Sequence, residues 1–341
     1  MKTLITTLSC LVAFTSAYSH SSDFDSAQIY YQKGIDEITA KRYMVASTYL
    51  NKAVQFNPNY EEAYLKDAYV NLEMRKTDIA KTLFLKVYAI NPNNTDAVKE
   101  LMNLFYSYHQ YDKAMEFATK CKTCDNEKII ALCNYELEDY GSAITGLQKV
   151  LAKNPTDAEA NYTMARCYLE MQEELKAVPY YQKAVATDPS KTTWIYELGL
   201  IYYNNNDFSR AIEMFNKAAD NGYPKSNDFN ENLGYAYIYN GDFDKGEPLL
   251  LNILARKPGE RDILRELADA FYKHKQYNKA LSYCQKLMEI DMKDAKALYQ
   301  AGLCFQKKGE KDKGQKMCDA AIELDPSLSS LKQKTTDFSG L

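Results

Sequence analysis

Residues 158–191 read AEANYTMARCYLEMQEELKAVPYYQKAVATDPSK. Small residues stand at the eighth and twentieth places of this stretch, Ala165 and Ala177. Tyr181 and Ala184 follow at places 24 and 27, and Pro189 comes at place 32. Places 4, 8 and 11 fall on one face of a first helix, and places 20, 24 and 27 on one face of a second. The stretch therefore predicts two helices packed antiparallel through a seam of small side chains.

The same register recurs along the chain. Place 20 is filled by Ala46, Ala80, Ala114, Ala143, Ala177, Ala211, Gly246, Ala280 and Gly314. Successive steps are 34, 34, 29, 34, 34, 35, 34 and 34 residues. Place 8 holds Gly34, Ala68, Met102, Ala131, Ala165, Gly199, Gly234, Ala268 and Gly302. Large apolar residues such as Leu50, Phe84, Leu147 and Phe215 fill place 24. An aromatic recurs at place 17, as Tyr43, Tyr111, Tyr140, Phe208, Phe243 and Tyr277. Polar runs such as Asn205-Asn206-Asp207 separate the two helices of a unit. Proline ends the second helix at Pro58, Pro92, Pro155, Pro189, Pro258 and Pro326, because the residue before proline is pushed out of the helical region. One such pair cannot bury its apolar area alone, whereas nine stacked pairs can.

In these columns the chain resembles the tetratricopeptide repeat family. The resemblance runs over nine units: 27–60, 61–94, 95–123, 124–157, 158–191, 192–226, 227–260, 261–294 and 295–326. It implies an all-α, right-handed superhelical α-solenoid of antiparallel helix pairs, with 327–341 as a capping helix or tail. The chain also departs from the family pattern. Tyr30, Tyr64 or smaller residues stand where the family carries tryptophan at place 4, and Trp194 falls at place 3, where it is expected to pack between units. Gly246 and Gly314 replace alanine at place 20, which is expected to loosen each helix by about 1 kcal/mol. The step from Ala114 to Ala143 is short, and Cys121-Lys122-Thr123-Cys124 stands there in place of a proline.

The resemblance implies that first helices line a concave surface through places 2, 5, 9 and 12. Carried over, this gives a groove wall that includes Tyr31, Tyr69, Lys99, Asn103, Tyr162, Arg166, Tyr196, Tyr235, Arg265 and Tyr299. Place 12 adds Tyr106, Tyr135, Tyr203 and Tyr272, and place 2 an acidic rail of Glu62, Asp96, Asp125, Glu159, Asp228 and Asp262. Tyr162, Tyr196 and Tyr235 are expected along one stretch of the groove. Tyrosine supplies rigid contact area with a hydroxyl, which suits capture of an extended peptide or a partner helix. The competing reading is that these tyrosines pack one unit on the next. Lys99 and Asn103 match the first pair of a family clamp for a peptide C-terminal carboxylate. Ile129 and Thr163 break that clamp, so this specificity is not expected.

Bulk properties exclude several classes. A chain of 341 residues is long for one core. Lys and Arg number 42 against 46 Asp and Glu, giving a net charge of −4 with no basic stripe, so nucleic acid is not an expected partner. Residues 1–17 read as a secretory signal peptide: Lys2, an apolar run from Leu4 to Phe14, then Thr15-Ser16-Ala17 before the cut, with 18–26 as linker. Cys10 lies inside the apolar run, so lipid anchoring is not expected. No other segment is long and apolar enough to span a membrane. The protein is therefore expected to be exported, periplasmic or secreted.

Eight cysteines become seven after that cut, an odd number. Cys133, Cys167 and Cys304 at place 10, Cys284 and Cys318 at place 24 and Cys121 at place 27 read as small core hydrophobes. Cys121 and Cys124 form a CxxC pair, a candidate disulfide at the short join. His109 and Cys133 are badly placed to complete a zinc site with them. No phosphate loop, zincin motif, metal or cofactor site emerges, and catalysis is not expected. Asn93 and Asn161 begin glycosylation sequons, but Asn161 at place 4 is expected to be buried. The reading is a non-catalytic scaffold or adaptor that binds a peptide or helix in a tyrosine-rich groove. The alternatives are an envelope thiol-redox or enzyme-accessory protein using Cys121 and Cys124, and a structural spacer in an envelope assembly.

Overall fold

The computed structural model describes residues 25–121, 124–257 and 259–330. The expected signal peptide at 1–17, Cys10, most of the 18–26 linker and the tail beyond 330 lie outside these. Within them the chain is an all-α solenoid, with no strand among the described residues.

The helices follow in consecutive pairs. They are α1 (25–39) with α2 (Tyr43–Phe56), α3 (Glu61–Glu73) with α4 (Thr77–Ile90), and α5 (Thr95–Ser107) with α6 (Tyr111–Lys120). Next come α7 (Glu127–Glu136) with α8 (Tyr140–Lys153), and α9 (Ala158–Glu170) with α10 (Glu174–Thr187). The series continues with α11 (Thr192–Asn204) and α12 (Phe208–Asp220), α13 (Asn227–Tyr239) and α14 (Phe243–Arg256), and α15 (Arg261–Lys273) and α16 (Tyr277–Ile290). It ends with α17 (Ala295–Lys307), α18 (Lys311–Leu324) and a 3₁₀ turn at Pro326–Leu328. The chain forms two compact units, one up to Ala184 and one from Val185.

The small-residue columns are the seam. Ala46, Ala80, Ala114, Ala143, Ala177, Ala211 and Ala280 are wholly buried, as are Leu50, Phe84, Leu147, Tyr181, Phe215 and Leu250 at place 24. Glycine at place 20 marks a close approach of two backbones. A Cβ on Gly314 would lie 2.4 Å from the Gly302 carbonyl oxygen, and one on Gly246 would lie 2.6 Å from that of Gly234. In these two pairs backbone meets backbone, so the lost helix propensity is offset by close approach. Several first helices also touch the first helix of the next pair: α5 meets α7 and α7 meets α9 in the first unit, while α13 meets α15 and α15 meets α17 in the second. First helices thus form a common wall within each unit.

A further regularity lies in the turns inside the pairs. Place 15 is left-handed throughout, at Lys41, Arg75, His109, Glu138, Gln172, Asn206, Gly241, Lys275 and Gly309, with φ between 55° and 96°. The N–H of the next residue donates to the carbonyl five residues back, as in Arg42 to Glu37, Gln110 to Phe105, Asp207 to Tyr202 and Glu310 to Phe305. This bond closes the exposed carbonyl end of each first helix. Place 12 then meets place 17 across the turn. Ring centroids are 5.7 Å apart for Tyr106–Tyr111, 6.0 Å for Tyr135–Tyr140 and 5.6 Å for both Tyr203–Phe208 and Tyr272–Tyr277.

At the short join, α6 and α7 have ten residues each where most other helices have 13 or 14. Cys121 and Cys124 are paired there as a disulfide with Cα atoms 5.4 Å apart. The Asn126 side-chain amide donates to the Cys121 carbonyl at 3.2 Å, which ties the loop to the end of α6. The other described cysteines, Cys133, Cys167, Cys284, Cys304 and Cys318, are buried thiols outside this disulfide. Asn161 is buried too, at 1% exposure.

Candidate functional site

In the first unit the wall formed by α5 and α7 encloses a concavity of about 360 Å3. Lys99 and Asn103 project from α5 into it, Lys128 and Leu132 from α7, and Tyr106 and Glu159 are also at its surface. Lys99 and Asn103 are exposed, and Lys99 makes no ion pair among the described residues. Lys128 is committed: its Nζ lies 2.9 Å from Asp157 Oδ1 and 2.9 Å from Glu159 Oε2. Burial opposes the charge on Lys128, but the hydrogen bonds to Glu159 and Asp157 outweigh it and raise its pKa. Asp157 also caps α9 by accepting the Ala160 N–H at 2.9 Å, so Lys128 braces one first helix against the next. Burial, with Glu136 and Glu159 nearby, pushes the Tyr106 phenol well above its usual value, so it stays a neutral hydroxyl.

The other groove tyrosines of this unit are half-buried. Tyr31 packs on Tyr60 at 5.0 Å between centroids, and Tyr69 meets Phe84 edge-on at 5.3 Å. Burial, then Glu100 and Asp96, raise the Tyr69 pKa to about 12. Tyr162 stands edge-on to Tyr181 at 5.6 Å. Arg166 Nη2 donates to Glu170 at 3.0 Å and Nη1 to the Tyr162 hydroxyl at 3.4 Å. These positions, expected on the groove side, each belong to the packing of their own or the next pair.

In the second unit the wall is aromatic. Tyr196 on α11 stacks on Tyr223 at 4.5 Å, lies 5.3 Å from Phe215 and 5.7 Å from Phe229, and accepts a 2.7 Å hydrogen bond from Asn232 Nδ2. It is therefore inter-helix packing more than free groove surface. Tyr223, in the longer α12–α13 join, carries no mark of this role in the sequence. Tyr235 stacks on Tyr239 at 6.0 Å, and burial followed by Glu231 and Glu266 raises its pKa. Arg265 Nη2 reaches Asp294 at 2.8 Å and Nη1 reaches Asp262 at 3.3 Å. Tyr299 departs from the expected groove: it is 5% exposed, within a cluster containing Cys318, Ala321 and Leu328. The 3₁₀ turn after the last pair supplies Leu328 to this cluster, at the end of the array.

A second concavity, of about 540 Å3, lies toward the turn ends of α11, α13 and α15. Tyr203, Phe208, Tyr239, Glu266 and Lys273 border it. Tyr239 and Glu266, at places 13 and 6, fall outside the places that the family resemblance marks as groove.

The buried thiols are poor nucleophiles. Burial raises the Cys133 and Cys304 pKa to about 11 and the Cys167 and Cys284 pKa to about 12. Among the described residues no group of three or more His, Cys, Asp or Glu is placed to hold a metal ion, and no helix is long and apolar enough to cross a membrane.

Family models described as tetratricopeptide repeat match residues 135–174, 158–191, 196–238, 232–295 and 295–328. No curated protein gives a significant match. Among solved structures the chain is similar to YrrB, described as a TPR protein with an unusual peptide-binding site, at 24% identity over 55% of this chain and 97% of that one, with a TM-score of 0.41. It is similar to MamA AMB-1 at 20% identity over 48% and 92%, TM-score 0.43. It is also similar to pilF of Pseudomonas aeruginosa at 15% identity over 70% and 95%, TM-score 0.33.

Proposed function

Because this chain belongs to the tetratricopeptide repeat family, whose fold supports protein–protein interaction, we propose that it is an exported, non-catalytic adaptor that captures a peptide or helix along its first helices. The observation that carries this reading is the concavity between α5 and α7. Its exposed Lys99 and Asn103 stand beside a tyrosine hydroxyl and an ion-paired lysine that holds the wall in place. An uncommitted cation and an amide on a braced surface are suited to orient a partner's carbonyls and acidic groups, with Tyr106 and Leu132 supplying contact area. Export is supported by the leader-like residues 1–17 and by the Cys121–Cys124 pair, since disulfides persist in oxidising compartments. The raised thiol pKa values of the free cysteines favour structural over redox roles for them.

Photo-crosslinking amino acids placed at Lys99 and Asn103 in native cells test the reading. The expected result is capture of one partner from these positions and none from Met292 or Leu175, which are also exposed but do not line this concavity. Capture only from Met292 and Leu175 would replace the groove with an edge-mediated spacer. Export is checked separately by whether the mature chain begins after Ala17.

A further inference from the structure

The second concavity has a chemistry that the first lacks. Tyr203, Phe208 and Tyr239 form a continuous aromatic surface, with centroids 5.6 Å apart for Tyr203–Phe208, 5.2 Å for Phe208–Tyr239 and 6.3 Å for Tyr203–Tyr239. Glu266 stands at this surface and accepts a 2.5 Å hydrogen bond from the Tyr239 hydroxyl. That bond uses one lone pair of one oxygen and leaves the carboxylate its charge and most of its acceptor capacity. Tyr203 and Tyr235 each feel both Glu266 and Glu231, so the two carboxylates face the same rings.

The nearby lysine and arginine each have a carboxylate partner. Lys273 is paired with Asp269 at 2.5 Å, and Arg265 with Asp294 and Asp262. His274 donates from Nδ1 to the Ala270 carbonyl at 3.0 Å and packs edge-on to Phe243. Burial raises the Glu231 pKa, and Glu260 and Asp228 add to this against Lys257. Electron-rich ring faces and an unneutralised carboxylate attract a cation; the same groups repel an anion, and a neutral apolar group would leave the carboxylate without a partner.

We propose that this concavity is a receptor for the protonated amine or guanidinium side chain of an extended peptide, which lies against Tyr203, Phe208 and Tyr239 and pairs with Glu266. The inference rests on the groove reading above and adds to it the chemistry of the ligand. The alkyl part of a lysine or arginine would cover the rings while its charged end reaches the carboxylate.

The test uses the full mature chain and dye-labelled nonapeptides of glycine and serine with Lys, Arg, Gln or Glu at the centre. Affinity is read by anisotropy, and the contact by ring resonances of carbon-13-labelled tyrosine. The expected result is binding of the Lys and Arg peptides about tenfold tighter than the Gln peptide, with the Glu peptide weakest. Those two peptides should shift the Tyr203 and Tyr239 resonances. Glu266→Gln should abolish the preference with an unchanged melting curve, and Tyr239→Phe, which keeps the ring, should retain most of it. Equal affinities across the four peptides, a Lys preference that survives Glu266→Gln, or no shift at Tyr203 and Tyr239 would each overturn the proposal. If one of these occurs while crosslinkers at Lys99 and Asn103 still capture a partner, this inference alone falls. If capture fails as well, the groove reading falls with it.

Discussion

The two concavities are built on the same repeat and have opposite characters. In the first, the tyrosine at place 12 is Tyr106, its neighbours are Lys99, Asn103 and Lys128, and the carboxylates Asp157 and Glu159 are absorbed by Lys128. In the second, the tyrosine at place 12 is Tyr203, its neighbours are Phe208 and Tyr239, and the carboxylate of Glu266 accepts a hydrogen bond from a phenol. The repeat decides where a side chain stands. It does not decide what that side chain recognises, so one scaffold carries a polar wall in one unit and an aromatic wall in the other.

The widest expected separation between the two walls is in stability. Tyr196→Ser removes a ring packed on Tyr223, Phe215 and Phe229 and should cost about 3 kcal/mol. Lys99→Ser should stay within about 0.5 kcal/mol. Hydrogen exchange resolved to α11–α13 and α5–α7 reads both, and a silent Tyr196→Ser would show the second wall to be free surface. The next contrast is in sign. Gly246→Ala drives a methyl into the Gly234 carbonyl and should destabilise by roughly 1–3 kcal/mol. Gly141→Ala, whose new Cβ would have nothing closer than 3.8 Å, should stabilise by about 0.5–1 kcal/mol. Thermal melts of the two variants that moved in the same direction would undo the packing argument. Arg75→Gly in the first unit should gain about 0.5–1 kcal/mol by relieving a left-handed residue, while Gly309→Ala in the second should lose a similar amount.

The smallest expected effect is a pair of opposed pH slopes. Asp67 is buried at 3% exposure, with Asn51 and Asn71 amides on its oxygens and no cation bonded to it; burial raises its pKa. The folded state therefore holds that proton more tightly than the unfolded chain does. Its favourable contribution is full below the unfolded value near ~3.9 and is lost as pH rises through the folded value. For Asp294 burial works the other way, but the Ala297 N–H and Arg265 outweigh it and lower the pKa. Its contribution is present above ~3.9 and lost as pH falls through the folded value. Denaturation of Asp67→Asn and Asp294→Asn against the parent between acid and neutral pH should give stability differences that change in opposite directions. Parallel differences would mean that Arg265 does not distinguish the two sites.

The fold was legible because small and apolar residues recur in phase, and the residues at places 8, 20 and 24 are the buried seam. Three things were not legible, each for a physical reason. Left-handed turns hide behind Lys41, Arg75, His109, Glu138 and Gln172, because a backbone hydrogen bond enforces them and no glycine marks them. Gly246 and Gly314 read as weak points of a helix because propensity is local, whereas the carbonyl each one faces lies on another helix. Tyr299 occupies a groove register but loses its exposure to Leu328, a residue outside the repeat. The candidate site was legible only in part: Lys99 and Asn103, one turn apart on α5, line one concavity, while Tyr239 and Glu266 occupy places that the pattern does not mark.

Trp194, near the start of α11 and half-buried with Lys191 Nζ 5.6 Å from its ring, is the sole tryptophan in a chain of 29 tyrosines. Excited at the red edge of the spectrum, where tyrosine is dark, it makes the protein's intrinsic emission a local lamp in the unit that begins at Val185. Circular dichroism, by contrast, sums over every helix. In a stack held by nearest-neighbour contacts the two signals need not melt together. Wherever their curves part company, the gap between them times the unzipping of the array without any label having been added.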